Sequence, residues 1–70
     1  MDGTERRKLE ALLGYWVKHN KEHGEEFKEW ANKAGDAGEA LVHDHILQAA
    51  QEMDEANKSL LKALDALKKM

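Results

Sequence analysis

The sequence predicts an all-α protein, an antiparallel two-helix hairpin that dimerises into a four-helix bundle. Three observations support this prediction. The chain has no proline, and alanine, leucine, glutamate and lysine dominate its composition, as in long helices. Helix-breaking residues cluster in a single segment, KAGDAGEA at residues 33–40. On both sides of that segment apolar residues recur at heptad spacing. With 70 residues, the chain forms one helical domain, residues 1–70.

The first helix is predicted over about residues 5–34. Asp2 followed by Glu5 resembles a capping box, which opens a helix. Gly35 suits the left-handed position that closes one. Gly14 and Gly24 lie inside this segment, and each costs about 1 kcal/mol relative to alanine. A break near Gly24, giving three helices, is therefore the structural alternative.

The turn is predicted at about residues 35–38 and the second helix at about 37–69. Asp36 followed by Glu39 resembles a second capping box. A turn this short makes the two helices antiparallel neighbours. Oppositely charged residues four apart support the helical assignment. The pairs are Glu29–Lys33, Asp54–Lys58 and Asp65–Lys69.

The contact surface of each helix is predicted as a heptad seam, with steps alternating between three and four residues. In helix 1 the seam is Leu9, Leu13, Trp16, Asn20, His23, Phe27, Trp30 and Ala34. In helix 2 it is His43, Ile46, Ala50, Met53, Asn57, Leu60, Leu64 and Leu67. Apolar residues flank both seams, so the stripes are wider than one hairpin contact can cover. The uncovered part predicts a homodimer.

A turn centred near Asp36 predicts the register of the hairpin. Facing residues would then have numbers that add up to about 73, with a slip of one turn left open. The predicted pairs are Trp30–His43, Phe27–Ile46, His23–Ala50, Asn20–Met53, Trp16–Asn57 and Leu13–Leu60. The middle layers are therefore polar, while both ends are apolar.

The polar seam residues allow two interpretations. A buried Asn20 or Asn57 would fix register and oligomeric state, and Asn57 could alternatively accept the indole N–H of Trp16. His19 and His23 are four residues apart on one helix face, the arrangement of helical metal sites, with Zn²⁺ or Ni²⁺ as the candidate ions. Two ligands do not complete a site, so His23 as a core histidine remains the competing interpretation.

The other two histidines do not extend this pair. His43 and His45 are two residues apart, which places them on opposite flanks of a helix. His43 borders the seam, and His45 is predicted at the solvent or a dimer edge. The four histidines therefore do not form one cluster within a chain.

Composition disfavours several classes of function. The net charge of −3 with interspersed signs argues against nucleic-acid binding. No apolar run approaches a membrane span, and no signal-peptide core is present, so a cytoplasmic protein is expected. The chain has no cysteine, and it has neither a phosphate-binding loop nor a nucleophile near a histidine. We therefore expect no catalytic residues and no enzyme activity.

One stretch resembles a known signature. The run from Trp16 to His23, followed by Phe27 and Trp30, is similar to the W-x-x-H-N-x-x-H…F-x-x-W signature of small uncharacterised prokaryotic helical domains. Such domains occur alone or appended to small nickel-binding proteins of the CooT type. The resemblance makes Trp16, His19, Asn20, His23 and Trp30 the defining positions, and it implies no enzymatic activity.

The predicted function is a non-catalytic assembly module that self-associates through the heptad seam. The alternative is a transition-metal protein that uses His19 and His23, and no cofactor is otherwise implied. The core and interface residues on which the prediction depends are Leu9, Leu13, Trp16, Asn20, His23, Phe27, Trp30, Ile46, Met53, Asn57, Leu60 and Leu64.

Overall fold

Two long helices packed antiparallel form a hairpin in a computed structural model that describes residues 1–69. Helix α1 spans Gly3–Asp36 and helix α2 spans Ala40–Lys68. The Cα trace measures 52 × 14 × 13 Å, so the molecule is a rod. The predicted all-α hairpin is confirmed. The three-helix alternative is wrong, because α1 runs without interruption through Gly14 and Gly24.

The start of α1 is fixed by the predicted cap. Asp2 has an extended backbone, and its Oδ1 accepts a hydrogen bond from the Glu5 N–H at 2.8 Å. This bond satisfies one of the free N–H groups in the first turn. The helix therefore begins at Gly3, two residues earlier than predicted.

The turn corrects the role assigned to Gly35. Gly38, with φ of +82°, takes the left-handed conformation, and Gly35 lies inside α1. The Glu39 N–H bonds the Ala34 carbonyl at 2.9 Å, and the Gly38 N–H bonds the Gly35 carbonyl at 3.0 Å. These two bonds form a Schellman motif with Gly38 as its C′ residue.

Gly35 has a packing role instead. A Cβ added there would lie 3.2 Å from Cδ2 of His43, which is tighter than ordinary contact. Glycine at this position lets α2 approach α1 directly after the turn. The predicted Asp36–Glu39 capping box is also wrong, because Asp36 is the last residue of α1. Glu39 is the N-cap of α2 and makes no side-chain capping bond.

As a consequence, the register is displaced by about one helical turn from the predicted pairs, the slip that the sequence left open. The turn is centred two residues later, so α2 is shifted along α1. Gly24 lies against Met53, 3.8 Å from an added Cβ to the Met53 Cβ, where Asn20 was predicted. His43 lies against Gly35, where Trp30 was predicted. The Asn57 side chain reaches the backbone of Val17, beside its predicted neighbour Trp16.

The charged residues partly follow the predicted pairs. Lys69 bonds Asp65 at 2.9 Å as predicted, but Lys58 pairs with Glu55 at 3.0 Å. Asp54, its predicted partner, instead lies 3.8 Å from Lys28 across the hairpin. Lys33, predicted beside Glu29, lies over the Trp30 ring at 4.3 Å from the centroid. These exposed contacts contribute little to stability.

The core of the single hairpin is small. The buried apolar residues are Leu13, Ala31 and Ala50, and Gly24 is buried with them. No large side chain among the described residues is fully buried. Neither helix carries an apolar stretch sufficient to cross a membrane in the part of the chain that the structure describes.

Candidate functional site

The hairpin has two unlike sides, one polar and one apolar. On a helix, the residues immediately before and after a contact residue lie about 100° to either side of it. Lys21 follows the contact residue Asn20, and Lys58 follows the contact residue Asn57. Both lysines line the same groove between the helices, together with Asp54. Residues that follow contact residues therefore share one side, which we call the polar groove after its charged side chains; Val17 and the exposed Leu61 also line it.

Residues that precede contact residues lie on the opposite side, which we call the apolar face. From α1 this face comprises Leu12, Trp16, His23 and Trp30, and from α2 it comprises Val42, Ala49, Ala56 and Ala63. Trp16, His23 and Trp30 on α1 recur every seven residues, and so do Val42, Ala49, Ala56 and Ala63 on α2. The α1 column carries large rings, and the α2 column carries small side chains. Glu26 and Glu52 lie on the same side and give the face a polar rim.

Several large side chains of the apolar face are exposed in the hairpin. The exposed fraction is 39% for Trp16, 55% for Trp30 and 46% for Val42. The whole chain exposes 5336 Å², whereas a folded monomer of 8.0 kDa exposes about 4,450 Å². The excess of roughly 900 Å² comes from the rod shape, which leaves one flank of each helix uncovered.

A ladder of four rings follows the edge of the apolar face on α1. Its members are four residues apart and are Tyr15, His19, His23 and Phe27. Tyr15 stacks on His19 with centroids 5.4 Å apart and planes at 15°. His19 and His23 meet edge to face at 4.4 Å, and Phe27 lies 6.1 Å from His23. The two imidazoles are thus held between two aromatic rings.

The structure brings the two predicted metal-ligand candidates into contact. Nε2 of His19 lies 3.0 Å from Nε2 of His23, so one nitrogen donates the hydrogen bond and the other accepts it. Tyr15, Lys18 and Glu22 line a shallow depression beside His19. The described residues contain no group of three or more histidine, cysteine or acidic side chains that could hold an ion. A single chain therefore offers two imidazole nitrogens here.

The remaining histidines lie elsewhere. His43 is half-buried beside Gly35, and its Nδ1 lies 3.0 Å from Oδ1 of Asp44. His45 is exposed. Neither takes part in the His19–His23 contact.

The two seam asparagines are half-buried. Asn57 donates from Nδ2 to the Val17 carbonyl at 3.1 Å, which ties α2 to the backbone of α1. Its Oδ1 is buried without a hydrogen-bond partner among the described residues, so the predicted bond from the Trp16 indole to this oxygen is absent. Beside it in the polar groove, the hydrogen bond and charge of Glu55 raise the pKa of the exposed Lys58.

The other predicted core and interface residues lie along the contact line. Leu13 is buried. The half-buried members are Leu9, Phe27, Ile46, Met53, Leu60 and Leu64. Ala49 and Ala56 are among the apolar residues that flank the predicted seam, and the structure shows that Ala63 continues their column.

A comparison with known protein families shows which family the chain belongs to. Residues 9–67 match the model of a family described as Domain of unknown function (DUF8180). The chain belongs to the DUF8180 family. The chain is also 38% identical over 58 residues to an uncharacterized protein of Archaeoglobus fulgidus, an alignment that covers 83% of this chain and 92% of the relative. No solved structure matches the chain. The matched region includes most of both helices and the whole ring ladder.

Proposed function

We propose that this DUF8180 chain is a non-catalytic assembly module whose apolar face binds a second copy of itself. Two hairpins joined in this way form a four-helix bundle. The observation that carries the proposal is the pairing of a column of large rings on α1 with a column of alanines on α2, both on the same uncovered side.

The two columns are complementary in size. When α1 of one copy lies on α2 of the other, Trp16 and Trp30 meet small side chains and interdigitate with them. A two-fold axis repeats this contact, because each copy carries both columns. The same pairing would move both tryptophans from water into a core.

The exposed area is large for a chain of this mass. A standard interface buries about 800 Å² of each partner, so burial of one face would bring the exposed area close to that of a compact monomer. Three buried apolar residues form a small core for two helices of 34 and 29 residues. Dimerisation supplies the burial that the isolated hairpin lacks.

Changing Ala56 to lysine tests the proposal. Ala56 is exposed in the hairpin and lies in the alanine column, so Ala56→Lys leaves the contacts between α1 and α2 intact. The new lysine lies four residues after Glu52, a favourable helical pair. In the dimer it would place a charge against the rings of the partner. We expect association to weaken at least roughly tenfold, measured by sedimentation equilibrium at micromolar concentration.

Gln51→Lys is the matched control. It makes the same change of charge on the same helix, but Gln51 lines the polar groove. We expect this variant to sediment like the wild type, at twice 8.0 kDa. A wild type of 8.0 kDa, or equal loss of association in both variants, would refute the assignment of the apolar face.

The attachment of similar domains to CooT-type nickel-binding proteins stays a prediction from the sequence signature. In such a protein, the module would bring two copies of an attached domain together. The absence of enzyme activity is likewise part of the proposal.

A further inference from the structure

We propose that His19 and His23 chelate one divalent transition-metal ion through their Nε2 atoms. The proposal concerns a single chain and does not depend on dimerisation. It rests on the distance between the two nitrogens, on the way their rings are held, and on their exposure.

The distance matches the bite of a metal chelate. Metal–imidazole bonds are about 2.0–2.1 Å long, so two ligands at a right angle lie about 2.9 Å apart. The His19 and His23 Nε2 atoms lie 3.0 Å apart. A tetrahedral angle would require about 3.3 Å. Chelation would replace the hydrogen bond between the two nitrogens: the donor imidazole carries its proton on Nδ1 instead, and both Nε2 lone pairs then face the ion, for which Ni²⁺, Cu²⁺ and Zn²⁺ are all candidates.

The rings are held in this arrangement before any ion binds. Both histidines lie on one continuous helix, which fixes the separation of their backbones. Tyr15 stacks on His19 from one side, and Phe27 lies beside His23 on the other. Restricting these rotamers lowers the entropy lost on chelation.

The site is also accessible and chemically suitable. His19 is exposed and His23 is half-buried, so an ion reaches both nitrogens from solvent. Neutral imidazole nitrogens are the protein ligands that Ni²⁺ and Cu²⁺ favour. Water completes the coordination, because no third side-chain ligand is grouped with them among the described residues. Glu22 and Lys18 both line the depression beside His19, so their opposite charges offset each other there.

Titration with Ni²⁺ alone, followed by isothermal calorimetry, tests the chelate. We expect one ion per chain for the wild type, and binding at least roughly tenfold weaker for His19→Ala, because one imidazole replaces two. His19→Ala is the primary variant because His19 is exposed, and circular dichroism verifies that its helices form.

His45→Ala is the control, since it also removes an exposed histidine. We expect its Ni²⁺ affinity to stay within twofold of the wild type. His23→Ala should match His19→Ala, which would show that the two residues act together. Unchanged affinity in His19→Ala, or an equal loss in His45→Ala, would overturn the proposal.

Discussion

Asn57 illustrates how a single polar residue shapes this hairpin. Its amide N–H donates to the Val17 carbonyl, while its own carbonyl oxygen is buried without a partner. A neutral hydrogen bond contributes about 1 kcal/mol, and an unsatisfied buried acceptor costs about 1–3 kcal/mol. Because the cost of the unsatisfied oxygen equals or exceeds the gain from the hydrogen bond, Asn57 contributes more to the register of the two helices than to their stability.

Two substitutions at this position should therefore have opposite effects. Asn57→Asp removes the donor and places a carboxylate against the Val17 carbonyl, so we expect a loss of about 2 kcal/mol in the free energy of unfolding. Asn57→Leu removes both the bond and the unsatisfied oxygen, so we expect stability to be unchanged or higher. Thermal denaturation followed by circular dichroism measures both effects. A leucine variant as unstable as the aspartate variant would contradict this assignment.

At the scale of the helices, three glycines in and after α1 have different surroundings. Gly24 lies at the closest approach to Met53, Gly14 faces open space, and Gly38 closes the helix at positive φ. Only Gly38 has a backbone that requires glycine. An added Cβ at Gly24 would make ordinary contact at 3.8 Å, and one at Gly14 would meet nothing within 4 Å.

The effect of an alanine substitution on stability should differ among these three glycines. We expect Gly14→Ala and Gly24→Ala to raise the free energy of unfolding by up to about 1 kcal/mol each, because alanine is the better helix former. Gly38→Ala should lower it by about 1–2 kcal/mol, because a Cβ is strained in the left-handed region. Chemical denaturation of the three variants measures the differences. Destabilisation by Gly14→Ala would show that the open space beside it is filled in the assembled protein.

The helices were largely predictable from the sequence, and the turn was not. Heptad spacing and the Asp2 cap located both helices, because these are local signals. To locate the turn, the prediction had to choose which of Gly35, Asp36 and Gly38 ends the first helix. The answer depended on which residue adopts positive φ and which packs against His43. That choice is made by contacts between the helices, and the error in it displaced the predicted register.

The His19–His23 pair was predictable as a pair, because four-residue spacing on a helix brings side chains together. The position of the pair between Tyr15 and Phe27 could not be predicted, because it depends on ring orientations that only the structure supplies. The apolar face also required the structure. The two sides of the hairpin can be distinguished because the structure places Lys21 and Lys58 in the same groove.

At the scale of the whole molecule, the rod shape of the hairpin has a functional consequence. A hairpin has one line of contact between its helices, so most of each helix surface stays outside the core. Here one side is polar and the other carries exposed tryptophans beside alanines. A second copy that covers the apolar face would double the thickness of the rod and leave its length unchanged.

Small-angle X-ray scattering of the wild-type protein tests this central claim most directly, because it reports mass and shape together. We predict twice 8.0 kDa and a length close to the 52 Å of one hairpin, as expected for two hairpins side by side. A particle of 8.0 kDa, or a dimer nearly twice as long as one hairpin, would contradict the account.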